Sequence, residues 1–415
     1  MTQSSNINST PILPDFPLPE DFGNADAYLR HLTYQGAEKR YGNIFDEEVR
    51  ERIDYELETI KKTNCANYFL ILQDIIAAMR NMRIFVGPGC GSAAGSIVSY
   101  CLRITNIDPI KYDLLFERFL TPSRISMLDI DTEFDEDGRE QALQWITEKY
   151  GQEWVAANVN FSTARSDVGS KLFDFIGCEA LSIIRETLAN IRQRHGIELD
   201  IDAISLYDTP TYELFGKGET TGVFLFDLDE VKKYLRELRP TKFDDLIAIY
   251  TLYRQDTVKF ISSEFIARKH GRKQIIYDIP IMEKRLKDTC GMTLFQEQMM
   301  HLSRDLAGFM PFESDELRRA MGKKLIDRMN ILKKQFITGC QANGYDEKVI
   351  NKIWDDWGSF SEYAFNKAHA VCYTLLAYQT AYLKANFPSE YMAAAMKKNP
   401  TLCCDMAQVI RIFVS

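Results

Sequence analysis

Asp129, Asp131 and Glu133 sit two residues apart in the stretch SMLDIDTEFDEDGRE, residues 126–140. In a strand, side chains at such positions share one face. Like charges held together repel unless a cation lies between them, and a carboxylate pair on a sheet suits two hard cations about 4 Å apart. Asp129 and Asp131 alternate with Leu128 and Ile130 in a half-buried pattern, while residues 135–140 fit a solvated turn broken at Gly138. Glu133, Asp135, Asp137 and Gly138 also echo the first half of a calcium-binding loop. That loop wants Asp in its first position and Glu in its twelfth, where this chain has Glu133 and Gln144.

A second candidate is RIFVGPGCGSAAGS, a short β-rich run, a glycine-rich turn and a helix start. Glycines let backbone approach a ligand closely, and free N–H groups at a helix start favour phosphate. The stretch is neither a Walker A loop nor a GxGxxG dinucleotide loop, and a plain tight turn is the alternative. A third is RRAMGKKLIDRMNILKK (318–334), with seven Lys/Arg against one Asp. It reads as a basic helix that is either a phosphate contact or a solvated face. Asn366, Lys367 and His369, near several tyrosines, have a composition suited to phosphates and stacked bases.

These groups need elements to position them. Helical spacing predicts helices over 46–63, 66–82 and 139–151, with IVSYCLRIT (97–105) and DPIKYDLLFERFL (108–120) as further helices. RIFV (83–86), the acidic stretch and EWVAANVNF (153–161) read as strands. Residues 165–200 read as helical, 211–238 as helix, turn, strand, helix, and 275–395 as almost wholly helical. The expected fold is α+β, a mixed sheet carrying the acidic strand and then a long all-helical domain. Residues 1–14 read as a flexible, proline-containing lead-in without the pattern of a signal peptide. Nine scattered cysteines and no CxxC pair point to free thiols in a reducing cytoplasm, and argue against zinc. No apolar run is long enough to cross a bilayer. A net charge of −9 confines any nucleic-acid surface to a local patch.

Taken in order, VGPGCGSAAGS, ITNIDPIKYDLLFERFLTPSRISMLDIDTEF, RKHG, LFQEQMM, LRRAMGKK and YAFNKAHAVCY closely resemble the bacterial C-family replicative DNA polymerases, the alpha subunits of DNA polymerase III. The resemblance runs from about Leu13 to Met396. It implies a nucleotidyltransferase palm related to that of DNA polymerase beta, a small helical thumb and helical fingers. The corresponding expected boundaries are palm 15–160 and 208–270, thumb 161–207 and fingers 271–415. By the same resemblance, Asp129 and Asp131 fall on two of three metal-binding aspartates, for two Mg²⁺ ions. Gly91 and Ser92 fall in the loop that contacts the incoming deoxynucleoside triphosphate. Arg318 and Arg319 match arginines that grip it, and Lys367 lies beside the nascent pair. Implied partners are primer–template DNA, dNTPs and other replisome subunits, with no membrane.

The chain also departs from the family pattern. Cys90 replaces the arginine of GPGRGS, and Leu225 stands where a glutamine is expected. The YRPGP turn has become YRQDTVKF (253–260), which leaves Asp256 or Glu264 as stand-ins for the third acid. FNKSHS has become Phe365–Ala370. The PHP domain and the clamp-binding and OB-fold regions are expected to be absent, leaving a palm–thumb–fingers core. Two functions follow: a DNA-directed DNA polymerase, or a catalytically impaired paralogue that binds DNA or a replisome partner.

Overall fold

The computed structural model describes residues 15–122, 130–162, 171–253, 259–400 and 402. It divides into two compact units, residues 1–111 with 122–182, and residues 112–121 with 183–415. Among the described residues the fold is mostly helical with one small sheet, which agrees with an α+β class. No described helix is long and apolar enough to cross a membrane.

The first unit opens with α1 (Ala25–Tyr41), α2 (Glu47–Lys62) and α3 (Ala66–Asn81). Asn24 starts α1 by accepting the Ala27 N–H at 2.9 Å, which satisfies a donor that the first turn leaves over. In α3 the apolar residues run almost all the way round, and Tyr68 to Leu72, Ile75 and Ile76 are buried. A 3₁₀ turn (Gly91–Gly95) leads into the short α4 (Ile97–Cys101). Then come β1 (Thr132–Phe134), α5 (Arg139–Tyr150), α6 (Gln152–Asn158), β2 (Val159–Ser162) and β3 (Phe173–Gly177).

The strands lie in the order β1-β3-β2, both pairs parallel. On the outer side of β1, Val86 makes an antiparallel bridge to Phe134. There Gly87 N–H donates to Glu133 O at 2.9 Å, and Asp135 N–H to Phe85 O at 2.8 Å. The expected mixed sheet is thus a parallel one with a single antiparallel bridge, and RIFV forms that bridge in place of a full strand. α7 (Glu179–His195) begins in the first unit and continues in the second.

The second unit contains α8 (Thr209–Lys217), α9 (Asp229–Leu238), α10 (Phe243–Leu252), α11 (Lys259–Lys269) and α12 (Glu283–Leu286). They are followed by α13 (Gln296–Ala307), α14 (Pro311–Gly322), α15 (Ile326–Ala342), α16 (Glu347–Phe360), α17 (Lys367–Asn386) and α18 (Pro388–Lys398). Leu302, Leu306, Leu317, Phe336, Ile353 and Trp357 form a core among α13 to α16. α17 packs on α8, α10 and α18.

Five local expectations are corrected. Residues 108–120 form turns and one 3₁₀ turn (Phe116–Arg118) instead of a helix. Asp108 caps its own backbone there, accepting Ile110 N–H at 2.9 Å, an alternative to helix that short acidic side chains offer. Residues 152–158 are helical, and only Val159–Ser162 of that run is strand. Within 165–200, Phe173–Gly177 is strand. Residues 220–227 form no strand: Leu225 has φ +60°, Thr220 Oγ1 donates to Phe226 O, and Gly222 N–H donates to Asp227. The basic helix expected over 318–334 is broken, because α14 ends at Gly322 and α15 starts at Ile326, with Lys324 at φ +52°.

Candidate active site

Asp131 immediately precedes β1, and Asp174 lies in β3. The register pairs Thr132 with Phe175, so continuing that register one step beyond the end of β1 sets Asp131 opposite Asp174. Level residues on paired strands point to the same face. Asp174 is 1 % exposed. Its Oδ1 accepts Asn160 Nδ2 at 2.9 Å across the β2–β3 pair, and its Oδ2 is buried with no hydrogen-bond partner among the described residues. Burial first, and then the charge of Asp131, raises the Asp174 carboxyl above the usual carboxylate range. A cation at this pair would reverse both influences and satisfy the orphaned oxygen, so the donor set fits a hard divalent ion. Among the described residues no group of three or more His, Cys, Asp or Glu side chains gathers to hold a metal. Asp129 lies outside the described residues.

Tyr68 of α3 ties this pair to the core. Its hydroxyl accepts the Ile130 N–H at 2.9 Å, and its ring stacks on Phe173 with centroids 4.8 Å apart. The glycine-rich loop lies against the same strand: a Cβ on Gly87 would come within 3.2 Å of Glu133 Cβ. Cys90 Sγ is 3.9 Å from Asp131 Oδ2, and Gly91 and Ser92 follow at the start of the 3₁₀ turn. Gly91 has φ +65° and open space around its Cβ position, so backbone conformation and not crowding favours glycine. One further acid of the motif, Asp135, is structural and not part of the solvated turn expected for 135–140. Asp135 is fully buried, and its Oδ1 accepts Ser182 Oγ at 2.6 Å and Asp137 N–H at 3.1 Å.

The expected cationic residues belong to the second unit. Arg318 and Arg319 share one buried anchor in α14. Arg318 Nε donates to Asp315 Oδ1 at 2.8 Å, and Arg319 Nε lies 3.0 Å from Asp315 Oδ2. Positions three and four residues apart meet on one helix face, so a single carboxylate gathers both guanidiniums. Lys367 opens α17. Its backbone N–H donates to buried Glu297 at 2.8 Å, and its Nζ donates to Tyr112 O at 2.6 Å. Lys323 and Lys324 are exposed in the turn after α14.

Of the two stand-ins for the third acid, Asp256 lies outside the described residues. Glu264 is engaged by Arg268 Nε at 2.9 Å and by Lys273, and these two bonds hold its carboxyl below the usual range. That is the behaviour of an ion-pair anchor. Sequence reasoning missed Asp174, and its signal was a lone acid inside the apolar run Leu172–Ile176, closed by Gly177.

Two family models match the chain: the bacterial DNA polymerase III alpha NTPase domain over residues 27–192, and the bacterial DNA polymerase III alpha subunit finger domain over residues 180–344. The chain is 32% identical to the DNA polymerase III subunit alpha of Aquifex aeolicus over 98% of its own length and 47% of that protein. It is 33% identical to the corresponding subunit of Borreliella burgdorferi, covering 92% of the chain and 43% of that protein. For Pseudomonas aeruginosa the figures are 32%, 92% and 44%. The Aquifex alignment is 543 positions long, more than the 415 residues of this chain, so that relative carries internal residues with no counterpart here. The chain spans about half the length of the curated relatives it matches. By these matches the chain belongs to the bacterial DNA polymerase III alpha subunit family.

Proposed function

We propose that this chain is a DNA-directed DNA polymerase that adds deoxynucleotides to a primer 3′ end on a DNA template. The observation that carries the reading is the Asp131–Asp174 pair, one residue ahead of β1 and within β3, the charge of one acting on the other beside a glycine-rich loop. Asp131, Asp174 and Asp129 are the residues that would hold two Mg²⁺ ions. Ions held there would supply Lewis acidity, lowering the pKa of a primer hydroxyl and offsetting charge on a transferring phosphoryl group.

The protein's own groups do the positioning. Backbone N–H groups of the Gly91–Ser92 turn donate to phosphate oxygens, and the left-handed backbone at Gly91 sets their direction. Arg318 and Arg319 supply planar, permanently charged donors suited to a triphosphate, with Asp315 fixing them on one face. Lys367 adds a mobile positive charge once its Nζ leaves the Tyr112 carbonyl. The ligands are primer–template DNA and dNTPs, with other replisome subunits as further partners.

One observation favours the second reading, a paralogue that binds DNA or a replisome partner with impaired catalysis. Cys90, beside Asp131, supplies no permanent positive charge where the family has arginine. Primer extension decides between the two. Purified protein with a 5′-labelled primer on a defined template should add the templated nucleotide in Mg²⁺, and stop in a chelator. DNA binding without any added nucleotide would establish the second reading instead.

A further inference from the structure

The geometry points to Glu56, on α2, as the positioning residue that holds the glycine-rich loop in its ligand-ready conformation, an inference that rests on the polymerase reading above. The Glu56 side chain is fully buried. Its Oε1 accepts the Ile97 N–H at 3.0 Å and Arg52 Nε at 2.7 Å. Its Oε2 accepts the Val98 N–H at 3.2 Å and Ser96 Oγ at 2.7 Å. Ser96 Oγ in turn accepts the Ser99 N–H at 3.1 Å, and Arg52 Nη2 donates to Gly95 O at 2.7 Å.

One carboxylate from another helix thus closes the backbone at the end of the Gly91–Gly95 turn. α4 has only five residues, too few to sustain itself by its own hydrogen bonds. Without Glu56 the donors of Ile97 and Val98 would be buried and unmet, a cost the loop avoids only by moving. The other end of the loop is fixed on β1 through Gly87 and beside Asp131 through Cys90. Movement at the Ser96 end would therefore be taken up at Gly91 and Ser92, between the two anchors.

Glu56→Gln is the decisive variant because it keeps size and shape. Its amide NH₂ would face the Val98 N–H, donor against donor, and the charge that pairs with Arg52 is gone. Two readouts are needed. Hydrogen–deuterium exchange of the free protein should speed up at residues 91–99 and stay unchanged in α1 and α3. In single-nucleotide addition, KM for dNTP should rise about tenfold, kcat should fall by less than about threefold, and primer–template affinity should hold. Ser96→Ala, which removes one of the four bonds to Glu56 together with the acceptor of the Ser99 N–H, should loosen the same stretch and raise the nucleotide KM in the same direction.

Unchanged exchange at 91–99, or faster exchange spread evenly over the first unit, would overturn the positioning role. So would local loosening with an unaltered nucleotide KM. If the unmodified chain adds no nucleotide, the polymerase reading fails, and the exchange result still decides whether Glu56 holds the loop.

Discussion

Tyr68 and Phe173 lie ring on ring, centroids 4.8 Å apart and planes within 11° of parallel, and the same tyrosine accepts the Ile130 N–H. One buried side chain on α3 therefore fixes the residue before Asp131 and the residue before Asp174. Tyr68→Phe keeps the stack and leaves the Ile130 N–H without this acceptor. A buried donor left unmet costs about 1–3 kcal/mol. Denaturant unfolding should show a loss of that order. Nucleotide addition should fall by about tenfold or more, since small displacements of reacting groups are expensive. A variant with reduced stability and full activity would show that Tyr68 supports the core and not the carboxylates.

Glu264 should not matter to catalysis. Its carboxylate is bound by Arg268 and Lys273, which is why its carboxyl is held low. Glu264→Gln should leave nucleotide addition within about twofold and cost at most about 1 kcal/mol, because these pairs are partly exposed. Loss of incorporation in this variant would restore it as the third acid.

Asp315 makes a sharper test of the two arginines than their removal does. Asp315→Asn makes α14 more positive, so a simple charge account expects tighter nucleotide binding. If Asp315 aims Arg318 and Arg319, the variant should bind dNTP more weakly, as Arg318→Ala and Arg319→Ala should. Replacing Arg318, Arg319, Lys323 and Lys324 together should also flatten the salt dependence of DNA affinity, because fewer counterions are released. Tighter nucleotide binding by Asp315→Asn would refute the aiming role.

His301 gives the second unit a pH signature. Burial, with the Arg285 charge adding to it, lowers its pKa to about 4, although Asp113 pulls the other way. The unfolded chain keeps the ordinary value of about 6.5, so between the two the unfolded state binds more protons. Stability is full above about pH 7 and falls as pH drops towards 4, by about 2–3 kcal/mol from this group. His301→Gln should flatten the fall in unfolding free energy between pH 7 and pH 5. An unaltered profile would assign the loss to carboxylates.

Three helices of the first unit were legible because local spacing decides them: α2, α3 and α5 begin and end within a residue or so of the expected bounds. β3 was not. In a strand flanked on both sides by parallel neighbours, apolar residues do not alternate, and Leu172–Phe173–Asp174–Phe175–Ile176 passes equally for part of a helix. Asp174 was hidden with it, since only strand pairing across forty residues of chain brings it beside Asp131. The basic run 318–334 misled in another way. Charge showed in the sequence, whereas the turn at Lys324 and the shared anchor Asp315 are matters of backbone and packing.

The central claim is that Asp131 and Asp174 together hold the ions for nucleotide transfer, and Asp174→Asn tests it most directly. Asparagine keeps the Oδ1 acceptor for Asn160 and removes one of two repelling charges, so unfolding midpoints in metal-free buffer should stay the same or rise. Single-nucleotide addition in Mg²⁺ should fall by about a thousandfold, a loss of about 4 kcal/mol of transition-state stabilisation. A folded Asp174→Asn protein that adds the templated nucleotide as fast as the unmodified chain would contradict the account.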